Sequence, residues 1–407
     1  MKRIGFLMLI LFTCMAPTAW PHSHDGSHSQ IVTFDPPGVG TVQGQGTYVN
    51  GINSQGAVMG WFIDGNNVNH GFIRSSDGVI TVFDVPGAGT ARGQGTVAWG
   101  MNSQGAITGY YVDSHNANHG FVRTSDCGGH VTITTFDAPG AGSGAGQGTE
   151  GANINSNGTI SGLFNDAGNS WHGYMRSRDG DFTVFDIPGA TPTGLYLGTF
   201  YGLTPYGSFV GYYTGGDGVS HGWLRAPDGD ITQIDAPGVG TAAGSINSQG
   251  EIAGWTWDAA NAYHGYVRTQ KGDFSVFDAP GADGGGTMPI SNSSTGAIAG
   301  FFWDALGTNH GFMRSADGQF TQIDVPPAGG GSVISTFAYG IDAAGDVTGV
   351  YVDANHLPHG FLFTNQGNRC GHHDDGDNDD HDRDRDSDHG NHSGDHDDDH
   401  GGDNHDH

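Results

Sequence analysis

The chain has 407 residues, 74 of them Gly, with 14% charged residues and a formal charge of −29. No strict three-residue period exists, so collagen is excluded. The only lysines are Lys2 and Lys271, and such an acidic surface excludes nucleic acid and anionic lipid as partners.

The chain opens with an export-type segment. Lys2 and Arg3 precede an apolar run, Ile4 to Phe12, and small residues follow in "APTAW". The run is too short to span a bilayer, so no membrane span is expected. Residues 1–19 read as a signal peptide, which makes the mature protein secreted or periplasmic. Cys14 stands where a lipoprotein cysteine could sit, but Phe12 and Thr13 fit that box badly, and lipid anchoring is not the reading adopted. Residues 20–30 form a linker containing "WPHSHDGSH". The mature chain keeps Cys127 and Cys370, too few for a disulfide framework. Whether those two pair is left open.

A repeat then fills residues 31–367. Its marker is a His-Gly pair, at His70, His119, His172, His221, His264, His310 and His359. The intervals are 49, 53, 49, 43, 46 and 49 residues. Periods of this size mean a solenoid or a propeller. Each unit holds four strand-like pieces. In unit one they are 47–53 (a), 57–64 (b), 70–74 (c) and 80–84 (d). Asn53-Ser54-Gln55-Gly56 makes the a–b turn, and Asp77-Gly78 is a hairpin signal between c and d. A two-residue loop there pairs Phe72 with Phe83 and Ile73 with Val82. Both faces of the hairpin are then apolar, as in a sheet stacked between neighbours.

The ends of the repeat set the ring size. The piece F/I-D-x-P occurs seven times, at Asp35, Asp84, Asp137, Asp186, Asp235, Asp278 and Asp324. Its first copy, "IVTFDPPG", precedes any His-Gly strand, and the last unit stops after strand c. Pairing the two ends completes a seventh unit and leaves no open edge. The expected fold is all-β: a seven-bladed β-propeller of four-stranded blades, closed by the N-terminal strand, with a disordered C-terminal tail. The units resemble the HAF-type repeats of bacterial extracellular proteins, with His-Gly-Phe/Tyr/Trp where that family's name has His-Ala-Phe. The resemblance implies an exported repeat protein and transfers no catalytic residue.

Several repeated residues could carry chemistry. An Asp stands six residues before the His in Asp64/His70, Asp113/His119, Asp166/His172, Asp258/His264, Asp304/His310 and Asp353/His359. A carboxylate that orients an imidazole suits a metal or acid–base dyad. Repetition spreads these pairs around a ring, so they read as structural clamps across the b–c turn. An Arg ends strand c in six units, read as a solvated rim residue beside an acidic turn. The Gly-rich d–a connections lack GK[ST] and a following helix, so they do not bind nucleotides. No H-E-x-x-H or C-x-x-C is present, and no cofactor is required.

Departures from the repeat are the better guide to a site. Unit four is rich in Tyr and unit five in Trp. Tyr201, Tyr212, Tyr213, Trp255 and Trp257 are the candidate ligand-binding residues, since aromatic rings bind sugars and other planar or amphipathic ligands. Unit two is longer by "CGGH", Cys127 to His130. Residues 368–407 hold 15 Asp, 3 Arg and nine His. This tail has almost nothing to bury and is expected to be disordered. His372, His373, His381, His389, His392, His396, His400, His405 and His407 are the candidate metal ligands, for Zn, Ni or Cu. The functional expectation is an exported binding or scaffold protein. Its partners would be an extracellular ligand or surface, with glycan one option, and divalent metal ions held by the tail. The alternative is a propeller enzyme, a lyase or glycoside-acting protein with its site on one face of the ring.

Overall fold

A computed structural model describes residues 29–197, 202–326 and 333–365. Residues 1–19 with Cys14, and Tyr201, Cys370 and the nine tail histidines, lie outside the described residues. Twenty-eight strands and no helix occur among the described residues. No helix there is long and apolar enough to cross a membrane.

The strands pair in fours, in the order a-b-c-d. Unit one shows the pattern: Gly46–Ile52, Val58–Ile63, Asn69–Arg74 and Ile80–Phe83, each antiparallel to the next. The last unit has strands a, b and c at Val333–Ile341, Val347–Asp353 and Pro358–Thr364. Its fourth strand is the N-terminal Gln30–Phe34, with Ile31 opposite Phe363 and Phe34 opposite Gly360. The pairing expected between the chain's two ends is therefore present. A shared core follows it: Val350 and Leu362 of the last unit cluster with Val49, Ile52 and Phe72 of the first.

The c–d hairpin differs from the expected register by one residue. Gly71 faces Phe83 and Phe72 faces Val82. The cause is the turn. Ser75 N–H donates to Val79 O, Gly78 N–H donates to Ser75 O, and Gly78 takes φ +95°. That is a three-residue loop with a left-handed glycine, where two residues were expected. The shift explains the His-Gly pair, because the ring of Phe83 fills the space a side chain would need. A Cβ on Gly71 would come within 2.6 Å of that ring, and one on Gly120 within 2.3 Å of Phe136.

Two further contacts recur between neighbouring units. The amide after the F/I-D Asp donates to the Thr of the next strand a: Val85 to Thr96 Oγ1, Ala138 to Thr149, Ala236 to Thr241 and Ala279 to Thr287, all at 2.9 Å. At the other end, the Asn of the a–b turn reaches its neighbour. Asn102 Nδ2 donates to Asn155 O at 2.9 Å, Asn155 Nδ2 to Thr204 O at 3.1 Å and Asn247 Nδ2 to Ser293 O at 3.0 Å. One cavity of about 270 Å³ is lined by the a–b turns of all seven units, Asn53, Asn102, Asn155, Pro205, Asn247, Ser293 and Asp342 among them.

Strand-c arginines are not solvated rim residues. Arg74, Arg123 and Arg225 are buried. Each lies over the strand-d Phe of the preceding unit: Arg74 over Phe34 at 5.2 Å, Arg123 over Phe83 at 5.1 Å and Arg225 over Phe185 at 5.2 Å. The guanidinium covers an aromatic face between two sheets, a desolvated cation–π contact. In unit two the "CGGH" insertion lengthens the c–d hairpin and leaves Cys127 exposed at its tip.

Glycine's role at the fastening point is testable. Gly120→Ala forces Phe136 out of its seat, while Gly222→Ala meets Ile234 no closer than 3.1 Å. Gly120→Ala should lower stability by about 1–3 kcal/mol, the usual range for overpacking. Gly222→Ala should lower it less. Equal losses in chemical denaturation would refute the steric account.

Candidate functional site

Each repeated His is gripped from both sides. Its Nδ1 meets the F/I-D Asp: His70–Asp84 at 2.9 Å, His119–Asp137 at 2.9 Å, His172–Asp186 at 2.6 Å, His221–Asp235 at 2.8 Å, His264–Asp278 at 2.9 Å and His310–Asp324 at 3.0 Å. The seventh pair joins the chain ends, His359 to Asp35 at 2.7 Å. The Asp six residues upstream is the more distant partner. Asp64, Asp113, Asp166, Asp258, Asp304 and Asp353 stand 3.5–3.7 Å from Nε2. Their main work is local: Asp64 Oδ1 accepts from the amides of Asn66 and Val68 and so closes its own turn. Asn67 in that turn takes φ +64°, a conformation Asn tolerates. The nearer partners were missed as partners, although a 14-residue interval recurs in five units, from His70 to Asp84 and from His172 to Asp186 among them.

A ring from strand b completes the seat. Phe62, Tyr111, Phe164, Phe302 and Tyr351 stack on their histidines at 4.9–5.1 Å. Tyr213 does the same for His221 at 5.3 Å, and its hydroxyl donates to Gln233. It therefore belongs to the repeated His seat, away from the other candidate aromatics. The two carboxylates hold opposite ring nitrogens and do not converge on a common point. Among the described residues no group of three or more His, Cys, Asp or Glu is placed to hold a metal ion.

The aromatic candidates meet elsewhere. Tyr196 of strand a in unit four stacks on Tyr212 at 4.7 Å with an 11° interplanar angle. Trp255 of unit five meets Tyr212 edge-on at 6.1 Å. Tyr196 is 36% exposed and Trp255 only 7%, so the outer face of the stack is Tyr196, with Tyr212 and Trp255 behind it. Trp257 joins the same cluster through Tyr263, at 5.8 Å. Of the named residues, then, Tyr212, Trp255 and Trp257 come together. Tyr196 is the exposed member that the aromatic segment contained but the candidate set did not.

One acid breaks the inner-strand pattern. The position after Gly-Thr in strand a is Tyr48, Val97, Ala242 or Met288 in other units, and Glu150 in unit three. Asn118 Nδ2 of unit two donates to Glu150 Oε1 at 2.8 Å. Burial pushes the carboxyl up to about 7, with the Asn118 bond opposing. Burial and the Glu150 charge push Tyr110 well above the usual phenol range.

No family model matches the chain, and no curated relative matches it. Solved structures do. The chain is similar to the BP39L lectin from Burkholderia pseudomallei, at 12% identity over 80% of this chain and 98% of that one, with a TM-score of 0.50. It is also similar to the β-propeller domain of the Trilobed protease from Pyrococcus furiosus, at 11% identity over 79% and 94%, TM-score 0.49. A third is TolB from Acinetobacter baumannii, at 14% identity and TM-score 0.42, where the match covers 70% of this chain and 65% of TolB. The repeat architecture is that of a β-propeller.

The His seats set a pH window for stability. For His359 the Asp35 bond raises the pKa and outweighs burial. For His310 burial lowers it, and the Asp324 and Asp304 contacts together outweigh burial, for a net rise. Both therefore contribute stability that is full below the unfolded His value of about 6.5 and lost as pH rises through the folded value. Asp166 is depressed, first by the Ser170 amide. It contributes stability above its unfolded value of about 3.9, lost as pH falls through the folded value. Thermal stability should peak between about pH 4.5 and 6.5 and decline on both sides. A melting temperature that climbs steadily from pH 6 to pH 8.5 would contradict this.

Proposed function

We propose that the seven four-stranded units form one closed seven-bladed propeller, exported from the cell, that acts as a binding or scaffold protein for an extracellular glycan or glycan-bearing surface. The observation that carries the reading is the Tyr196–Tyr212–Trp255 cluster, an exposed ring lying flat on a second that a third meets edge-on. A sugar's C–H face is matched by such a ring, at about 0.5–1.5 kcal/mol beyond area burial. The ring closure is supported by the Asp35–His359 clamp and by the cavity shared by all seven a–b turns. That the Burkholderia neighbour is a lectin shows that this fold can carry carbohydrate recognition. The HAF-type resemblance and residues 1–19 support export.

A glycan array and saturation-transfer NMR on the whole protein test the reading. At least one glycan should bind. Tyr196→Ala should weaken it about 5- to 10-fold, the equivalent of one stacking contact, with unchanged melting. Binding indifferent to Tyr196→Ala and Tyr212→Ala would remove this surface from the account.

A second reading has one observation behind it. Glu150, poised near neutrality beside Tyr110, has the pKa of a general acid or base. The same glycans, assayed for chain cleavage, decide it. Turnover lost in Glu150→Gln with binding retained would make the protein an enzyme.

The tail is proposed to capture Zn, Ni or Cu through His372, His373, His381, His389, His392, His396, His400, His405 and His407. Neutral imidazole is the ligand, so uptake should fall as pH drops through about 6.5. Calorimetric titration should show multi-step binding by the full chain and almost none by a chain ending at Gly367. Equal uptake by both would place the metal elsewhere.

A further inference from the structure

The d–a connections differ where they cross the b–c turns. From the F/I-D Asp to the Gly that opens strand a there are 11 residues in Asp35–Gly46, Asp84–Gly95 and Asp137–Gly148. In each the residue before that Gly is Gln, folded back into the groove between the connection and the b–c turn. Gln45 Oε1 accepts from Val42 N–H while its Nε2 donates to Gly65 O at 3.2 Å. Gln94 Nε2 donates to Asn116 Oδ1, and Gln147 Nε2 to Ala167 O and Asn169 Oδ1. The carboxamide plugs the groove.

Unit six has no plug. Asp278 to Gly286 is only eight residues, and Gly285 precedes Gly286. The groove between this connection and the turn 304–307 is a pocket of about 320 Å³. Trp303 forms its wall, with the indole laid across two glycines. A Cβ on Gly285 would come within 2.5 Å of the ring, and one on Gly286 within 2.9 Å. Tyr263 meets the indole edge-on at 5.6 Å. Leu306, 53% exposed, forms the rim.

The pocket's charge is one-sided. Asp283 and Asp304 line it and no Lys or Arg does. The unit's arginine, Arg314, ends the strand Asn309–Arg314, about 16 Å along that strand at ~3.3 Å per residue. Asp304 Oδ1 is occupied by the amides of Leu306 and Thr308, and its Oδ2 faces His310 at 3.5 Å. The groups facing the pocket are therefore the two carboxylates, with His310 behind Asp304. A flat indole beside the Asp283 carboxylate, with no Lys or Arg lining the pocket, attracts a cation through the ring quadrupole and the charge together.

We propose that the unit-six pocket binds an organic ammonium group, seated on Trp303 and paired with Asp283. The ligand class goes beyond the Tyr196 platform, which needs no charge. A quaternary headgroup and an amino sugar share this chemistry.

The test uses the full chain at about pH 8 in about 0.15 M salt, which screens diffuse attraction to the acidic tail. The probes are choline and its uncharged isostere 3,3-dimethyl-1-butanol, then glucosamine and glucose. The readout is the Trp303 indole N–H resonance, assigned with Trp303→Phe. Choline or glucosamine should shift it at concentrations at least about 5-fold lower than the neutral partner does, the span of an exposed cation–π contact. Whichever ammonium binds tighter identifies the source. Asp283→Asn, at an exposed position, should weaken binding about 5-fold, and Tyr196→Ala should leave it unchanged. Equal response to charged and neutral probes, no response at all, or indifference to Asp283→Asn would each overturn the proposal. Loss of glycan binding in Tyr196→Ala with this response intact separates the two sites.

Discussion

The structure depends on one fastening, in which the Phe-Asp that ends strand d is pressed onto the Gly-His that begins strand c. The two contacts are neighbours in register. Gly71 leaves room for Phe83, and His70 then binds Asp84. Neither works without the other's placement, because a side chain on the glycine would lift the strand and carry the carboxylate away from the imidazole. The next residue donates its amide to the Thr of the following unit, as Val85 does to Thr96. So one tetrapeptide locks the hairpin behind it and hangs the next sheet in front of it. The strand-c Arg seals the same joint by lying over the preceding unit's Phe, as Arg123 does over Phe83.

A fastening of this kind has a consequence for the chain's ends. Any linear arrangement leaves one strand d without its partner and one strand c without its cover. Here the leftover pieces are complementary. Phe34 packs against Gly360 and Asp35 binds His359, across 324 residues of sequence. The same residue types that join strands 14 or 18 positions apart elsewhere join the termini here. Loop-closure entropy for so long a span grows only slowly with length, and a full register of strand hydrogen bonds opposes it.

Much of this was legible in the sequence because it is repeated. The four strands per unit, their order and the pairing of the first strand with the last strand c follow from seven copies of two short motifs. The misreadings arise where a local rule and a tertiary one compete. Asp77-Gly78 signals a two-residue loop, but Gly78 in the left-handed region adds a residue and shifts Phe72 from Phe83 to Val82. Asp64 is the nearest acid before His70 and was taken as its partner. Its Oδ1 is committed to turn amides, and the stronger grip comes from Asp84, one hairpin later. Arg74 has an acid close by in sequence, Asp77, yet its guanidinium is buried against Phe34 of the last unit, which no local pattern shows.

Function is a different problem in a repeat, since whatever occurs seven times is held to the scaffold by the fastening itself. A site must come from a position where one unit departs and the neighbouring units do not fill the gap. Tyr213 illustrates the trap. It lies in the most aromatic segment, yet it fills the same seat as Phe62 and Tyr111 and serves the scaffold. Tyr196, one strand away, repeats on Tyr212 the cross-strand stack that Tyr48 makes on Trp61 in unit one, and differs by keeping an exposed face. Glu150 departs by charge on an inner strand otherwise apolar or aromatic at that position. The unit-six groove departs by omission: three fewer residues than in the connections after Asp35, Asp84 and Asp137 remove the Gln that bridges connection and turn there, and Trp303 settles onto the glycines left behind. A missing residue leaves no motif to find. Only the geometry of the filled grooves, Gln45 reaching Gly65 and Gln147 reaching Ala167, shows that the unit-six groove is a place.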